Sequence, residues 1–203
     1  VSSIVLLIAV ACIILAVSAV ETGPNRSREL ALVAALAAAA AGGRVLFAFI
    51  PNVQPVTMIV ACTGATLGVR AGLATGGAAA LASNAFLGQG PWTPWQMIAW
   101  GLVGATAAPL GRLLRSRYAL AAFGFVWGFL FDWIMNVWSW STLGPSADLS
   151  SFIALTSTGL PFDVAHATGN VVIALVAGPT LLRMLDRYRR RLHATFAPLE
   201  TTS

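Results

Sequence analysis

The sequence predicts an all-α fold, a polytopic bundle of membrane-spanning helices. Three observations lead to this. Hydrophobic residues make up 58% of the 203 positions and charged residues only 9%. A soluble domain carries about a quarter charged residues, so this chain could not coat a globular core with polar surface. No stretch alternates apolar and polar residues as a membrane β-barrel requires, and a backbone in lipid must satisfy its own donors and acceptors, which leaves helices. Finally, all 12 basic residues are arginine, and they gather in short clusters between apolar runs.

Taken in order, residues 3–20 are apolar throughout and end at Glu21. Residues 29–50 are alanine-rich and close at Pro51. Residues 56–69 form a short run before Arg70, and 71–87 form a glycine- and alanine-rich return. Residues 96–114 end in the cluster Arg112, Arg115 and Arg117. Residues 118–140 are the aromatic span, and 161–185 run into Arg183, Arg187, Arg189, Arg190 and Arg191. The runs around Arg70 are short for a bilayer and suit tilted or broken helices. One membrane domain is expected, with no appended soluble domain.

Every second connection is basic, so 11 of the 12 arginines fall on one side, which the positive-inside rule makes cytoplasmic. The connections at 51–55, 88–94 and 141–160 contain no arginine. Because the basic residues follow the first apolar run rather than precede it, 3–20 reads as a span with its N-terminus outside and not as a cleaved signal peptide. The C-terminus is then cytoplasmic. The arginine-only, alanine-rich composition points to a GC-rich bacterial genome, so the membrane expected is the bacterial cytoplasmic one. The net charge of +5 suits a face toward an anionic leaflet; the interleaved basic and aromatic stripes of a nucleic-acid binder are absent. Cys12 and Cys62 sit inside apolar runs and read as small packing residues.

Charged groups inside spans are costly and point to function. Arg44 lies near the outer end of its span. Asp132, Asn136 and Trp140 recur at steps of four, and Asp163, His166 and Asn170 at steps of three and four. Each set therefore shares one helix face, and both faces lie in the outer half, implying a polar pocket that opens outward. Other readings stand beside this one. Arg44 could snorkel to the outer headgroups, Asp132 could neutralise Arg44 within the bundle, and His166 could simply tie helices together.

The connection Gly88-Gln89-Gly90-Pro91-Trp92-Thr93-Pro94-Trp95-Gln96-Met97 is rigid and aromatic. Trp92 and Trp95 could serve as an interfacial belt. A belt does not need Gln89 or the Gly-Gln-Gly-Pro run, which favours a cap facing a solute. Asn52 and Gln54 give the first arginine-free connection a similar character, and Asn84 lies one turn before the aromatic loop, pointing inward beneath it. In the second run, Ala31, Ala35 and Ala39 form one small-residue register and Ala34 and Ala38 another, spacings that permit close helix packing in lipid. The chain contains no paired-histidine metal spacing, no Gly-x-Ser-x-Gly and no phosphate-binding glycine loop. It calls for no cofactor, no metal and no ATPase of its own.

The stretch Phe49-Ile50-Pro51-Asn52-Val53-Gln54-Pro55-Val56, with Thr63-Gly64, Gly68, the loop from Gly88 to Met97, Pro161-Phe162-Asp163, His166 and Gly169-Asn170, resembles the substrate-binding S components of energy-coupling factor (ECF) vitamin transporters. The similarity runs over 28–191, and the aromatic loop and last-span motif look most like the cobalamin-assigned members. The resemblance implies a six-helix bundle over 23–192 that binds a vitamin from outside through the three arginine-free connections. It further implies docking by a small-residue face (Ala31/Ala35/Ala39 or Ala34/Ala38) onto a transmembrane coupling subunit driven by two ATPase subunits. The predicted binding residues are Arg44, Asn52, Gln54, Asn84, Gln89, Trp92, Trp95, Asp132, Asn136, Trp140, Asp163, His166 and Asn170. The chain departs from the family's six spans in carrying an extra N-terminal transmembrane helix over 1–22, and a cytoplasmic tail follows at 193–203. An intramembrane enzyme using Asp and His for proton transfer, or an ion-coupled secondary transporter, is the alternative.

Overall fold

The computed structural model describes residues 26–192, together with Leu7 and Ala11, which are helical. The remainder of the expected N-terminal helix and the 193–203 tail lie outside the described residues. Among the described residues there are seven α-helices and no strand: α1 (Arg26–Leu46), α2 (Val56–Leu67), α3 (Val69–Leu87), α4 (Thr93–Ala107), α5 (Arg117–Ser141), α6 (Leu149–Val176) and α7 (Gly178–Leu192). Short 3-10 turns occupy Leu113–Arg115 and Gly144–Ser146. The fold is the all-α bundle expected, and α1, α5 and α6 are long and apolar enough to cross a membrane.

Alanine, the best helix former, dominates α1. Glu29 in its first turn and Arg44 in its last complement the partial charges at the two ends. The chain leaves α1 through a tight turn, and Pro51 blocks continuation.

The 12 residues of α2 reach only about 18 Å, short of the roughly 30 Å of hydrocarbon. This helix is the hub of the bundle, packed against all six of its fellows, with Val56, Val60, Ala61 and Cys62 fully enclosed. Gly68 alone separates α2 from α3, at φ 96°, a left-handed conformation that a residue without Cβ adopts freely. The pairing of α3 with α4 also rests on glycine: a Cβ on Gly72 would lie 2.7 Å from the carbonyl carbon of Gly104. The two backbones touch there, as small residues allow in lipid.

The C-terminal third differs from expectation. The run expected over 161–185 is two helices, and the first begins at Leu149, well inside the connection expected over 141–160. Asp148 starts it with a capping box: its carboxylate accepts from the Ser151 backbone N–H at 2.7 Å, and the Ser151 hydroxyl accepts from the Asp148 N–H at 3.0 Å. Pro161 is carried inside α6. The chain stops at Ala177 and restarts as α7 with Gly178-Pro179, proline being at home in a first turn. Seven helices rather than six therefore follow residue 26.

The antiparallel course sorts the bundle into two ends. At one lie Arg44 at the end of α1, Asn84 near the end of α3, Trp92 and Trp95 at the start of α4, and Trp138 and Trp140 at the end of α5. At the other, Arg115 is ion-paired with Asp186 of α7, Arg189 reaches the Thr66 carbonyl oxygen at 3.4 Å, and Arg28 and Arg191 border one groove.

Candidate functional site

At the tryptophan end, Arg44 projects from the last turn of α1 into a cage of neutral oxygens. Its Nε donates to Gln54 Oε1 at 3.1 Å, and Nη1 donates to Ser83 Oγ at 2.7 Å and Asn84 Oδ1 at 2.5 Å. Its guanidinium carbon lies 5.0 Å from the ring centroid of Trp100, a cation–π distance. A guanidinium has five N–H donors, so the pair on Nη2 is left for something else. Arg44 neither reaches Asp132 nor meets any other carboxylate among the described residues. Neutralisation by Asp132 is thereby corrected: 44 and 132 belong to different clusters. Snorkelling is no better a description, since the guanidinium is turned inward onto Ser83, Asn84 and Trp100.

Asn84, 1% exposed, does point beneath the aromatic loop. Its amide donates to Thr93 Oγ1 at 2.9 Å and Gln96 Oε1 at 2.8 Å. The Thr93 hydroxyl donates to Gln89 Oε1 at 2.9 Å and accepts from the Gly90 N–H at 3.3 Å, while Gln89 Nε2 donates to the Leu81 carbonyl at 3.0 Å. The loop from Gly88 to Gln96 is thus anchored through Asn84, and Arg44 with it.

The second cluster is centred on His166, which is completely buried. Its Nδ1 lies 3.2 Å from Asp132 Oδ2, and its Nε2 lies 3.1 Å from Thr57 Oγ1. Trp100 Nε1 donates to the same Thr57 oxygen at 3.2 Å. One tautomer satisfies every group: Trp100 donates to Thr57, Thr57 to Nε2, and Nδ1–H to the carboxylate. Asn52 completes the cluster, its amide donating to Asp132 Oδ2 at 3.3 Å and the Phe162 carbonyl at 3.2 Å. Asn52 sits at φ 57°, a region asparagine enters more readily than most residues. Trp100 joins the clusters, its ring beneath Arg44 and its N–H on Thr57.

The remaining expected residues divide. Asp163 is 2% exposed, and its Oδ2 has no partner. Its Oδ1 and the equally unpartnered Asn136 Nδ2 converge beside Gly159, within 3.8 Å of where a Cβ would stand. Trp92 meets Trp138 edge-on, ring centroids 5.8 Å apart, and Trp95 is half-buried with its indole N–H unpartnered. Trp140 does not join either cluster: its N–H donates to the Asp148 carbonyl at 2.9 Å and its ring packs on Phe152, fastening α5 to the start of α6. Asn170 is a helix–helix tie, donating to the Gly124 carbonyl at 3.0 Å.

Sequence reasoning missed Thr57, Ser83 and Trp100 as members of the site, and Trp138 as the partner of Trp92. Thr93, Gln96 and Trp100 recur at steps of three and four, a one-face pattern that could have drawn Trp100 in. Thr57 and Ser83, isolated in apolar runs, carried no such signal.

The two small-residue registers of α1 face different surroundings. Ala31, Ala35 and Ala39, with Leu32, Leu36, Met184, Tyr188, Arg28 and Arg191, line a groove of about 620 Å³ between α1 and α7, while Ala34 and Ala38 are exposed outside it. No group of three or more metal-ligating side chains comes together among the described residues. Comparison with family models, with curated proteins and with solved structures found no match to this chain.

Proposed function

We propose that the chain is the solute-binding membrane subunit of an ATP-driven importer of the ECF type, and that its solute is cobalamin or a related corrinoid. The observation that carries the reading is Arg44. It is a guanidinium held inside one end of the bundle by neutral oxygens, with two N–H donors uncommitted and no carboxylate opposite among the described residues. Such a group offers a fixed cationic anchor for a polar solute. The described residues also include unpartnered buried polar atoms on Asn136, Asp163, Trp95 and Trp138, and the loop and end of α5 add the flat faces of Trp92 and Trp138. A bulky planar solute suits both.

The tryptophan end faces outward in a bacterial cytoplasmic membrane, and the arginine end faces the cytoplasm. Coupling to a transmembrane subunit and two ATPases goes through α1, and the groove lined by Ala31, Ala35 and Ala39 supports that register over Ala34/Ala38. Calorimetry of the purified protein against a vitamin panel without nucleotide tests the reading. Tight binding of a corrinoid is expected; binding of a different vitamin discards the ligand, and no binding at all discards the function.

One observation favours a second reading, a proton-transfer enzyme: the Thr57–His166–Asp132 chain has the order of a hydroxyl–imidazole–carboxylate relay. Against it, Thr57 and His166 are both fully enclosed and the Thr57 oxygen already accepts from Trp100. Product formation by the isolated protein would favour this enzyme.

A further inference from the structure

The arginine end holds a cavity that the solute-binding reading does not use. It measures about 920 Å³ and lies between the end of α2, the connection after α4 and the outer turns of α7. Four arginines line it, Arg112, Arg115, Arg189 and Arg190, against a single carboxylate, Asp186. Asp186 is already engaged: its Oδ2 takes Arg115, and its Oδ1 is 3.7 Å from Arg189 Nη2. Arg189 also reaches the Thr66 carbonyl. Arg112 and Arg190, both exposed, have no hydrogen-bond or ion-pair partner among the described residues, so no described carboxylate offsets these two guanidiniums at the cavity.

We propose that this cavity binds the phosphodiester headgroup of an anionic phospholipid, with a lipid bearing two phosphates filling it best. Guanidinium is the side-chain group that fits phosphate oxygens in paired fashion, and basic pockets between membrane helices select such headgroups. A lipid rather than a soluble anion is indicated by what surrounds the arginines. The cavity wall is apolar at Ala65, Ala108 and Pro109. The same connection exposes Leu110 at 39% and Leu113 at 60%, so exposed leucines alternate with the cavity arginines. That pattern belongs where headgroups meet acyl chains, and water alone would leave both leucines without cover.

The test is native mass spectrometry of the detergent-purified protein titrated with cardiolipin, phosphatidylglycerol or phosphatidylcholine, with thermal unfolding as a second readout. Cardiolipin should bind more tightly than phosphatidylglycerol and stabilise the fold, and phosphatidylcholine should do neither. The double variant Arg112→Gln/Arg190→Gln should weaken cardiolipin about thirtyfold, the effect of removing two arginines from an anionic surface. The double variant Arg112→Lys/Arg190→Lys should retain much of the affinity, which separates lost charge from misfolding. Equal affinity for the zwitterionic lipid, or an unchanged double variant, overturns the site. Pyrophosphate binding through Arg112 and Arg190 that cardiolipin does not displace overturns the lipid and leaves a soluble anion site.

Discussion

At the scale of single residues, the tryptophan end is organised by pairs that saturate one another and by a few atoms left open. Arg44 illustrates both, with three N–H donors committed to Gln54, Ser83 and Asn84 and two uncommitted. Replacing it by glutamine should preserve membrane insertion and reduce solute binding at least tenfold, since a charge-assisted contact contributes about 1.5–3 kcal/mol; calorimetry reads this directly, and unchanged affinity would remove Arg44 from the site. Thr57→Val is nearly isosteric but strips His166 Nε2 and Trp100 Nε1 of their shared partner. A loss of about 1–2 kcal/mol in unfolding stability is expected. Asn52 separates backbone from side chain. Glycine at 52 keeps the φ of 57° without strain but deletes the bonds to Asp132 and the Phe162 carbonyl, so Asn52→Gly should impair binding while expression stays near that of the unaltered protein.

At the scale of elements, two features control how helices meet. The α3–α4 contact requires Gly72 and Gly104, and Gly104→Val should cost about 1–3 kcal/mol, the usual toll of overpacking, seen as a lowered midpoint in thermal unfolding. The start of α6 depends on Asp148. Its carboxyl is held below the usual range, chiefly by the Ser151 backbone N–H and then by the Ser150 and Ser151 hydroxyls. A depressed value means the cap is complete above the ordinary carboxyl range and is lost as pH falls through the lowered one. Protection of the Leu149–Phe152 amides, taken relative to the intrinsic exchange rate at each pH, should therefore fall in acid, and Asp148→Ala should show the same lowered protection at neutral pH.

These elements also show what could be read from the chain alone. The bundle, the short α2 and the aromatic helix were legible because hydropathy and arginine placement agree there, although the break before α3 falls at Gly68 and Arg70 lies inside that 19-residue helix. The start of α6 was not. Residues 149–160 mix Ser and Thr with apolar residues and so read as a connection, although Asp148 and Ser151 stand three apart as a capping box requires. The division at Ala177 was marked by Gly178-Pro179 but masked by continuous apolarity on either side. Within the site, residues on one helix face could be grouped by spacing, as Asp163 and His166 were. Meetings across helices, such as Arg44 with Asn84 or Thr57 with His166, depend on packing angles that spacing does not encode.

At the scale of the whole molecule, the placement of every arginine but Arg44 away from the connections at 51–55, 88–94 and 141–148 predicts sidedness. Ser146 and Ser116 are exposed at opposite ends, and Cys62 is buried. With Cys12 replaced by serine, Ser146→Cys should react with a membrane-impermeant thiol reagent on intact cells and Ser116→Cys only after lysis; the reverse pattern would invert the topology.

The unequal helices have a consequence for the surrounding lipid. The 28 residues of α6 extend about 42 Å, whereas the 15 of α4 extend about 22 Å. Tall helices at α5 and α6 thus share the bundle with a short one at α4. A bilayer of uniform thickness cannot match both. Lipid must thin beside the short helix or the long ones must lean, so chain length sets the posture of the protein. Reconstitution into bilayers of graded acyl length should change its tilt, measurable by oriented infrared dichroism, without any change in the internal contacts of the bundle.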